Sequence, residues 1–437
     1  MPSYGGMTTS FQFSEAEEIA KAPELCQLKP VTTRFGHHGT VSTKETWSVA
    51  FTPDHSYFAW SSGKGIVRLV PWMRELNAYD ASALNLFINN NNRCPSDFSE
   101  DRQLKHSRVI EYVCNSNVWS LAFGSSIPHK KLTNRQVGYR HYQHLDGDDI
   151  LLLAVGLQSG AIMIFNVFKK EKFSLIDHKQ VVRNLAFAPD GSLTLVSACR
   201  DHTLKVWDVK DDGNMVHTMR GHKGWVHDCA FSPDASHMAS VGTRGEVFIW
   251  DMSNFRTIRK LSGHYHDAVA CQYTPDGAVL LTASWDARAI AWDPSTGQIL
   301  SEYHHVYPPM DPVFAGGANN SFTRGISVSP NGQHFATICD DGYVRIWSLL
   351  NNSDPLAIAS VEEAVSCCFS PNGMVVAVGT RSGQVSFFAV HTNGDTIPTL
   401  QHLCRMVIRK LVPDTNLILK ELKAGCLLRY LTYQQME

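Results

Sequence analysis

A short phrase recurs seven times along the chain. It reads WSVAFTPD at 47–54, WSLAF at 119–123, RNLAFAPDG at 183–191, HDCAFSPD at 227–234, VACQYTPDG at 269–277, GISVSPNG at 325–332 and VSCCFSPNG at 365–373. Apolar and polar residues alternate within it, and all but one copy run into Pro-Asp or Pro-Asn, as a strand entering a tight turn does. A second apolar run follows, such as SLTLVSA at 192–198, then a turn and a third run, such as TLKVWD at 203–208. One such unit cannot bury its apolar face alone, so self-similarity of this kind restricts the fold more than local propensity does. The anchor positions are Phe51, Phe123, Phe187, Phe231, Tyr273, Val328 and Phe369. From Phe187 through Phe231 to Tyr273 the step matches the ~40–45-residue period of four-stranded propeller blades. The expectation is an all-β, seven-bladed propeller.

Longer steps mark insertions at 75–116, between the first two blades, at 124–149, inside the second, and at 301–320, before the sixth. All three are polar or rich in Pro, Gly and Asn, as surface loops are. A closed propeller must zip its last blade to its first, or strand edges stay bare. Blade 7 ends at its third strand, Gln384 to Val390. On β-branched content the missing outer strand is assigned to Lys29–Phe35. The chain then divides into an N-terminal tail (1–28), a propeller (29–390) and a C-terminal region (391–437).

The repeats resemble WD40 repeats. Gly221-His222 precedes Trp250-Asp251, and Gly263-His264 precedes Trp292-Asp293. The resemblance implies a His, a hydroxyl, an Asp and a Trp bonded across each blade. His178, Ser197, Asp201 and Trp207 fill these roles in blade 3, and His264, Thr282, Asp286 and Trp292 in blade 5. Such a half-buried set satisfies several polar groups at once and pins register. Other blades depart from the pattern. Arg244 stands in the Asp column of blade 4, Ser159 and Phe165 take the Asp and Trp columns of blade 2, Ser382 and Phe388 those of blade 7, and Val70 the Trp column of blade 1. Those blades must lean on apolar packing.

Composition narrows the function. The chain is 43% hydrophobic, ample for a large core and against disorder. Lys and Arg number 39 against 41 Asp and Glu, unlike a protein that lives by neutralising phosphates, so neither nucleic acid nor membrane is expected as a partner. Eleven cysteines without a C-x-x-C argue against a disulfide framework and suit a reducing compartment. Met1 to Phe13 carries no secretory pattern, and the longest apolar run, Ile150 to Leu157, is under half a membrane span. An intracellular protein, cytoplasmic or nuclear, is expected. No G-x-x-x-x-G-K-[ST], G-x-S-x-G or H-E-x-x-H occurs, so no catalytic residue, metal or cofactor is assigned.

After His391 the pattern changes. Leu400, Leu403, Cys404, Val407, Ile408 and Leu411 make one apolar stripe at helical spacing, with Thr399 as N-cap and Pro413 as terminator. A second apolar pattern runs from Leu417 to Tyr433. Cys404 on that stripe reads as a packing residue, since burial would raise its pKa and quiet it as a nucleophile. The string TLQHLCRMVI resembles the elongin-binding part of a SOCS box, which implies elongin contacts at Thr399, Leu400, Leu403, Cys404 and Ile408. The cullin-contacting motif of such boxes, Leu-Pro-aliphatic-Pro, is absent: Leu419-Lys420-Glu421-Leu422-Lys423-Ala424 has no proline. Weak cullin contacts are assigned to Leu419, Leu422, Tyr430 and Leu431.

A propeller followed at once by a small α-helical SOCS box resembles the WD repeat and SOCS box-containing proteins. Pieces that carry the match include ETWSVAF, YFAWS, VRLVPW, WSLAFGSS, KDDGNM, IRKL, FAGGAN and LQHLCR. The resemblance implies a non-catalytic substrate-recognition subunit of a ubiquitin ligase, with elongin B and elongin C on the SOCS box, a cullin and a RING protein completing the complex, and a protein substrate on the propeller. The alternative is a WD40 scaffold that assembles a signalling complex with no role in ubiquitination. Propellers of this kind bind partners near the start of the first strand and the turn after the second. Aligned blades place Trp47, Trp119, Arg183, His227 and Arg324 in one ring there, and Arg200, Trp285 and Arg381 in a second. Trp and Arg anchor interfaces disproportionately, and Arg pairs bidentately with carboxylate or phosphate, so an acidic or phosphorylated substrate segment is expected.

Overall fold

Alternation with a period of two, broken by Pro-Asp and Gly turns, folds as a ring of antiparallel sheets. The computed structural model of the chain describes residues 20–28, 45–54, 56–62, 65–72, 109–129, 150–169, 171–305, 322–349 and 354–390. Two N-terminal strands, β1 (Ala20–Lys21) and β2 (Glu24–Leu28), precede the blades. Blade 1 holds β3 (Val49–Phe51), β4 (Tyr57–Ser62), β5 (Ile66–Pro71) and β6 (Ile110–Val113). Blade 2 holds β7 (Val118–Ser125), β8 (Leu151–Leu157), β9 (Ala161–Asn166) and β10 (Lys172–Ile176). Blade 3 holds β11 (Val182–Phe187), β12 (Thr194–Cys199), β13 (Thr203–Asp208) and β14 (Asn214–Arg220). Blade 4 holds β15 (Val226–Phe231), β16 (His237–Gly242), β17 (Glu246–Asp251) and β18 (Arg256–Leu261), and blade 5 β19 (Ala268–Tyr273), β20 (Leu280–Ser284), β21 (Arg288–Trp292) and β22 (Ile299–His304). Blade 6 follows with β23 (Thr323–Val328), β24 (His334–Cys339), β25 (Tyr343–Ser348) and β26 (Ala357–Ser360), and blade 7 with β27 (Ala364–Phe369), β28 (Val375–Thr380) and β29 (Val385–Ala389). Each blade runs first strand to last across its sheet.

The closing strand is not the expected one. β2 pairs antiparallel with β29, Glu24 opposite Phe388 and Leu28 opposite Val385, while β1 adds a parallel fifth strand to β26. The propeller therefore begins at residue 20 rather than 29; Lys29–Phe35 lies outside the described residues. The strand ELCQL has no β-branched residue, so propensity did not point to it. Its hold comes from ladder bonds to the bare edge of β29 and from Leu28, which is 3% exposed. The insertions also shrink. β6 lies inside 75–116 and completes blade 1, β7 extends into 124–149 as far as Ser125, and β22 occupies the start of 301–320. Each of these strands borders a long loop, which hid its short apolar pattern.

Trp207, Trp250, Trp292 and Trp347 sit in third strands and are 1–3% exposed. In blade 3, His178 Nδ1 lies 2.7 Å from Asp201 Oδ2 and Nε2 lies 2.7 Å from Ser197 Oγ, which accepts from Trp207 Nε1 at 2.9 Å. Blade 5 repeats this with His264 to Asp286 at 3.0 Å, His264 to Thr282 at 2.7 Å and Trp292 to Thr282 at 2.8 Å. One neutral tautomer satisfies the whole relay: Nδ1–H donates to Asp, Nε2 accepts the hydroxyl proton, and the hydroxyl oxygen accepts the indole N–H. Blade 4 replaces the missing Asp with Glu246, whose carboxylate lies 3.5 Å from His222 Nδ1 and accepts from Lys260 Nζ at 3.0 Å, while Ser240 joins His222 and Trp250. Blade 6 carries a set that the sequence pattern did not show. His305 Nε2 lies 2.8 Å from Thr337 Oγ1, which accepts from Trp347, and the ring's Nδ1 faces Ala287 O at 2.9 Å. Asp341 is spent on Arg345 instead.

Among the described residues, blades 7 and 1 have no such relay. Their seam is aromatic: Phe58, Trp60, Trp72, Phe387 and Leu28 share one buried cluster, and Trp72 stacks on Phe387 at 5.7 Å. Around the ring, inner strands are tied to their neighbours. Leu121 N donates to Ser48 Oγ, Val328 N to Gln272 Oε1, Phe369 N to Ser327 Oγ and Ser366 Oγ to Thr46 O. Asp228 ties three blades, accepting from Asn184 Nδ2 and from the backbone N–H groups of Cys229 and Cys271. Blades 2 and 3 join by backbone, His129 N to Pro189 O at 2.9 Å.

Two outcomes follow. Leu28→Ala should lower unfolding free energy by about 2–5 kcal/mol in urea titration, as for a fully buried leucine; a change near zero would show that β2 does not close the ring. Stability should also fall with acid in two windows. Burial, helped by Arg345, pushes the His305 imidazole down to about 4. Its contribution is complete above the unfolded value of ~6.5 and drains as pH falls towards 4. Burial works to raise the Asp201 and Asp286 carboxyls, but hydrogen bonds from His178 and His264 among others outweigh it and hold both well below the usual carboxylate range. Their contribution is lost only below about pH 4. Burial pushes His222 down to about 4 as well, so His305→Asn should make the first window shallower without abolishing it; equal slopes between pH 7 and 5 in both proteins would contradict the assignment.

Candidate substrate-binding face

In six of seven blades the first strand slips by one residue against the second near its start. The slips fall between Val118 and Ser120, Val182 and Asn184, Val226 and Asp228, Ala268 and Ala270, Thr323 and Gly325, and Ala364 and Ser366. The residue left unpaired is Trp119, Arg183, His227, Val269, Arg324 or Val365. A bulge re-aims a side chain out of the ladder, so the fold repeats one device to turn this column of residues towards the same rim. A backbone bond repeats beside it: Gln158 N to Asn117 O, Arg200 N to Val181 O, Thr243 N to Trp225 O, Trp285 N to Asp267 O, Asp340 N to Phe322 O and Arg381 N to Glu363 O, all 2.9–3.1 Å. This bond brings the second ring of expected residues against the first.

The side chains form a continuous run. Trp47 stacks on Trp119 with centroids 4.5 Å apart, and Trp47 Nε1 donates to Glu45 at 2.7 Å. The Arg183 guanidinium lies over Trp119 at 4.8 Å; that of Arg200 lies 5.4 Å from Trp119 and 4.6 Å from Trp225. His227 lies 6.3 Å from Trp225 and 5.8 Å from Trp285, and Trp285 faces Phe322 at 5.6 Å. Trp225, 41% exposed, and Phe322 were not anticipated. Both stand two residues ahead of the bulge, a column that the same alignment would have exposed.

The arginines differ in charge balance. Arg324 is neutralised by Asp340, which it grips with Nε and Nη2 at 2.5–2.9 Å while lying 5.5 Å from Trp285. Arg183 and Arg200 have no carboxylate within ion-pair distance among the described residues, and the Nε of each is enclosed without a hydrogen-bond partner there. Burial first, then repulsion from Arg200 and Arg324, pushes Arg183 down to about 10, still protonated at neutral pH. Burial raises the Asp228 carboxyl to about 7, so its attraction for Arg183 is only part of a full charge. The indole N–H groups of Trp119 and Trp285 and both ring nitrogens of His227 also lack a hydrogen-bond partner among the described residues, although Asp267 Oδ2 is 3.7 Å from His227. His227 is 4% exposed, and burial lowers its pKa, so it backs the face rather than standing on it. Arg381 keeps the repeated backbone bond in blade 7 and joins none of these ring contacts.

His178, Cys199 and Asp201 also bring one potential ligand atom each within 4.8 Å of the others. Both His178 nitrogens are engaged by Asp201 and Ser197, and burial pushes the Cys199 thiol up to about 12, so the cluster is a blade relay with a buried thiol behind it. The residues assigned to elongin and cullin, Thr399 through Leu431, lie outside the described residues.

The model of the WD domain, G-beta repeat matches residues 28–70, 169–208, 213–251, 255–293 and 313–348. A WD repeat and SOCS box-containing protein 1 from Xenopus tropicalis is 44% identical over 427 residues, covering 97% of this chain and 99% of that protein. Its namesake from Homo sapiens is 46% identical over 394 residues, 90% of this chain and 92% of that protein. A guanine nucleotide-binding protein subunit beta from Oryza sativa subsp. japonica is 28% identical over 229 residues, half of this chain. Identity at this level, sustained from end to end rather than over the repeats alone, means that the chain belongs to the WD repeat and SOCS box-containing protein family.

Proposed function

We propose that the chain is a non-catalytic, intracellular substrate-recognition subunit of an elongin BC–cullin–RING ubiquitin ligase. In this reading the propeller presents a protein substrate, the SOCS box at 391–437 recruits elongin B and elongin C, and the complex marks the substrate for proteasomal degradation. The observation that carries it is the pairing, in one chain, of an aromatic and arginine-rich propeller rim with a tail whose sequence matches an elongin-binding stripe. Pull-down of the full chain and of a chain ending at residue 390, read by mass spectrometry, tests it. Elongins should vanish with the tail while substrates remain. Substrates without elongins in both samples would favour a WD40 scaffold.

Leu400→Pro with Cys404→Phe should abolish co-purification of elongin B and C and leave the propeller's melting temperature unchanged, because the stripe would lose both its helix and its fit to a groove. Retained elongin would refute the assignment. Cullin affinity should be lower than for a SOCS box with the Pro-containing motif, and prolines placed at Leu422 and Ala424 should raise it in titration against a cullin N-terminal domain. Tight binding by the unaltered chain would show that Leu419 to Ala424 makes the contact without proline.

A further inference from the structure

Two arginines on the rim are oriented but not neutralised. Arg183 lies on Trp119, and Arg200 lies between Trp119 and Trp225. An aromatic face holds the guanidinium plane and leaves its N–H edge for another partner. Four other arginines of the propeller are paired with acids: Arg68 with Glu111, Arg288 with Asp286 and Glu302, Arg324 with Asp340, Arg345 with Asp341. Arg259 and Arg381 also lack an ion pair among the described residues, but Arg183 and Arg200 are the two that share one aromatic face, that of Trp119. They repel one another, and Asp228 is the acid whose charge bears on Arg183. Two pre-oriented, like-charged forks side by side are stabilised most by one group that carries about two negative charges and several acceptor oxygens.

We infer that Arg183 and Arg200 form the receptor for a phosphorylated serine or threonine side chain of a protein partner, with Trp119 and Trp225 as the walls that hold the two guanidiniums. A phosphomonoester carries about −1.5 to −2 charges at neutral pH and can accept from both forks, whereas a single carboxylate matches one. The inference rests on the propeller being the partner-binding element; it does not need the SOCS box to recruit a ligase. Exposed Trp225 beside Arg200 offers an apolar surface to the residue flanking the phosphate.

The test uses the full chain co-expressed with elongin B and elongin C and immobilised. It is offered three degenerate peptide pools with a fixed central phosphoserine, serine or Glu-Glu. The phosphoserine pool should be retained at least about tenfold over the serine pool, the scale of one or two charge-assisted hydrogen bonds. Arg183→Gln and Arg200→Gln should each erase that preference at unchanged melting temperature. Arg200→Lys, which keeps charge without the fork, should retain only part of it. Arg220→Gln on the outer strand of blade 3 should change nothing. Equal retention of the phosphoserine and serine pools, or a preference that survives both Gln variants, would overturn the inference. Equal retention of the Glu-Glu pool would overturn the phosphate assignment in favour of acidic segments. Inorganic phosphate competing as strongly as the phosphoserine pool would show an anion site with no peptide recognition and overturn it as well. Elongins are read from the same beads, so their loss with phosphoserine preference intact sinks only the ligase reading, and the reverse sinks only this one.

Discussion

The structure depends on covering one strand edge. A propeller of seven sheets keeps its inner strands packed against each other only while the ring is shut, and β29 would otherwise present its backbone donors and acceptors to water. β2 supplies the ladder, Leu28 fills the apolar space beneath it, and β1 extends the same strap onto blade 6. Among the described residues, the seam shows no His-hydroxyl-Trp relay like that of blades 3 to 6; Phe58, Trp60, Trp72 and Phe387 fill it instead. Polar pinning and aromatic burial are thus exchanged around one ring without changing its topology.

Within the relays, the invariant part is the hydroxyl rather than the acid. Ser197, Ser240, Thr282 and Thr337 each accept an indole N–H and meet a His nitrogen, at nearly the same distances. The group on the far side of the imidazole varies: Asp in two blades, Glu246 from the next strand in a third, a backbone carbonyl for His305. This follows from satisfiability. An orphaned indole or imidazole nitrogen inside a sheet costs about 1–3 kcal/mol, and the far side of the imidazole is where the relay gives way: His222 Nδ1 makes no hydrogen bond among the described residues and has only the Glu246 carboxylate at 3.5 Å.

How much of this could be read from sequence depends on whether a residue repeats. The anchor column, the tryptophans of the third strands and the two complete relays repeat with the blade, and alignment of the repeats finds them. The same alignment places Trp119 and Arg183 in one ring and Arg200 and Trp285 in a second, because the bulge that turns the first ring outward and the backbone bond beside it repeat too. Features that occur once escaped. β2 is five residues without β-branching, Glu246 acts from a position two residues past the expected column, and His305 is separated from Thr337 by a long insertion. Which arginines carry a free charge was legible only in part: the column that sets Arg200 beside Arg183 sets Asp340 beside Arg324, but the grip of one on the other is seen only in space.

The closing pair has a temporal side. β2 precedes its partner β29, Val385–Ala389, by nearly the whole propeller, so it waits for a strand synthesised long after it. Contacts of such sequence separation form late, and a half-made propeller shows an open edge throughout that delay. The strap is suited to waiting. It is short, it carries Pro23 between its two strands, and Lys21 and Glu24 place opposite charges beside that proline. Such a segment pairs poorly with a stray strand and well with the one edge whose flanking cavity fits Leu28.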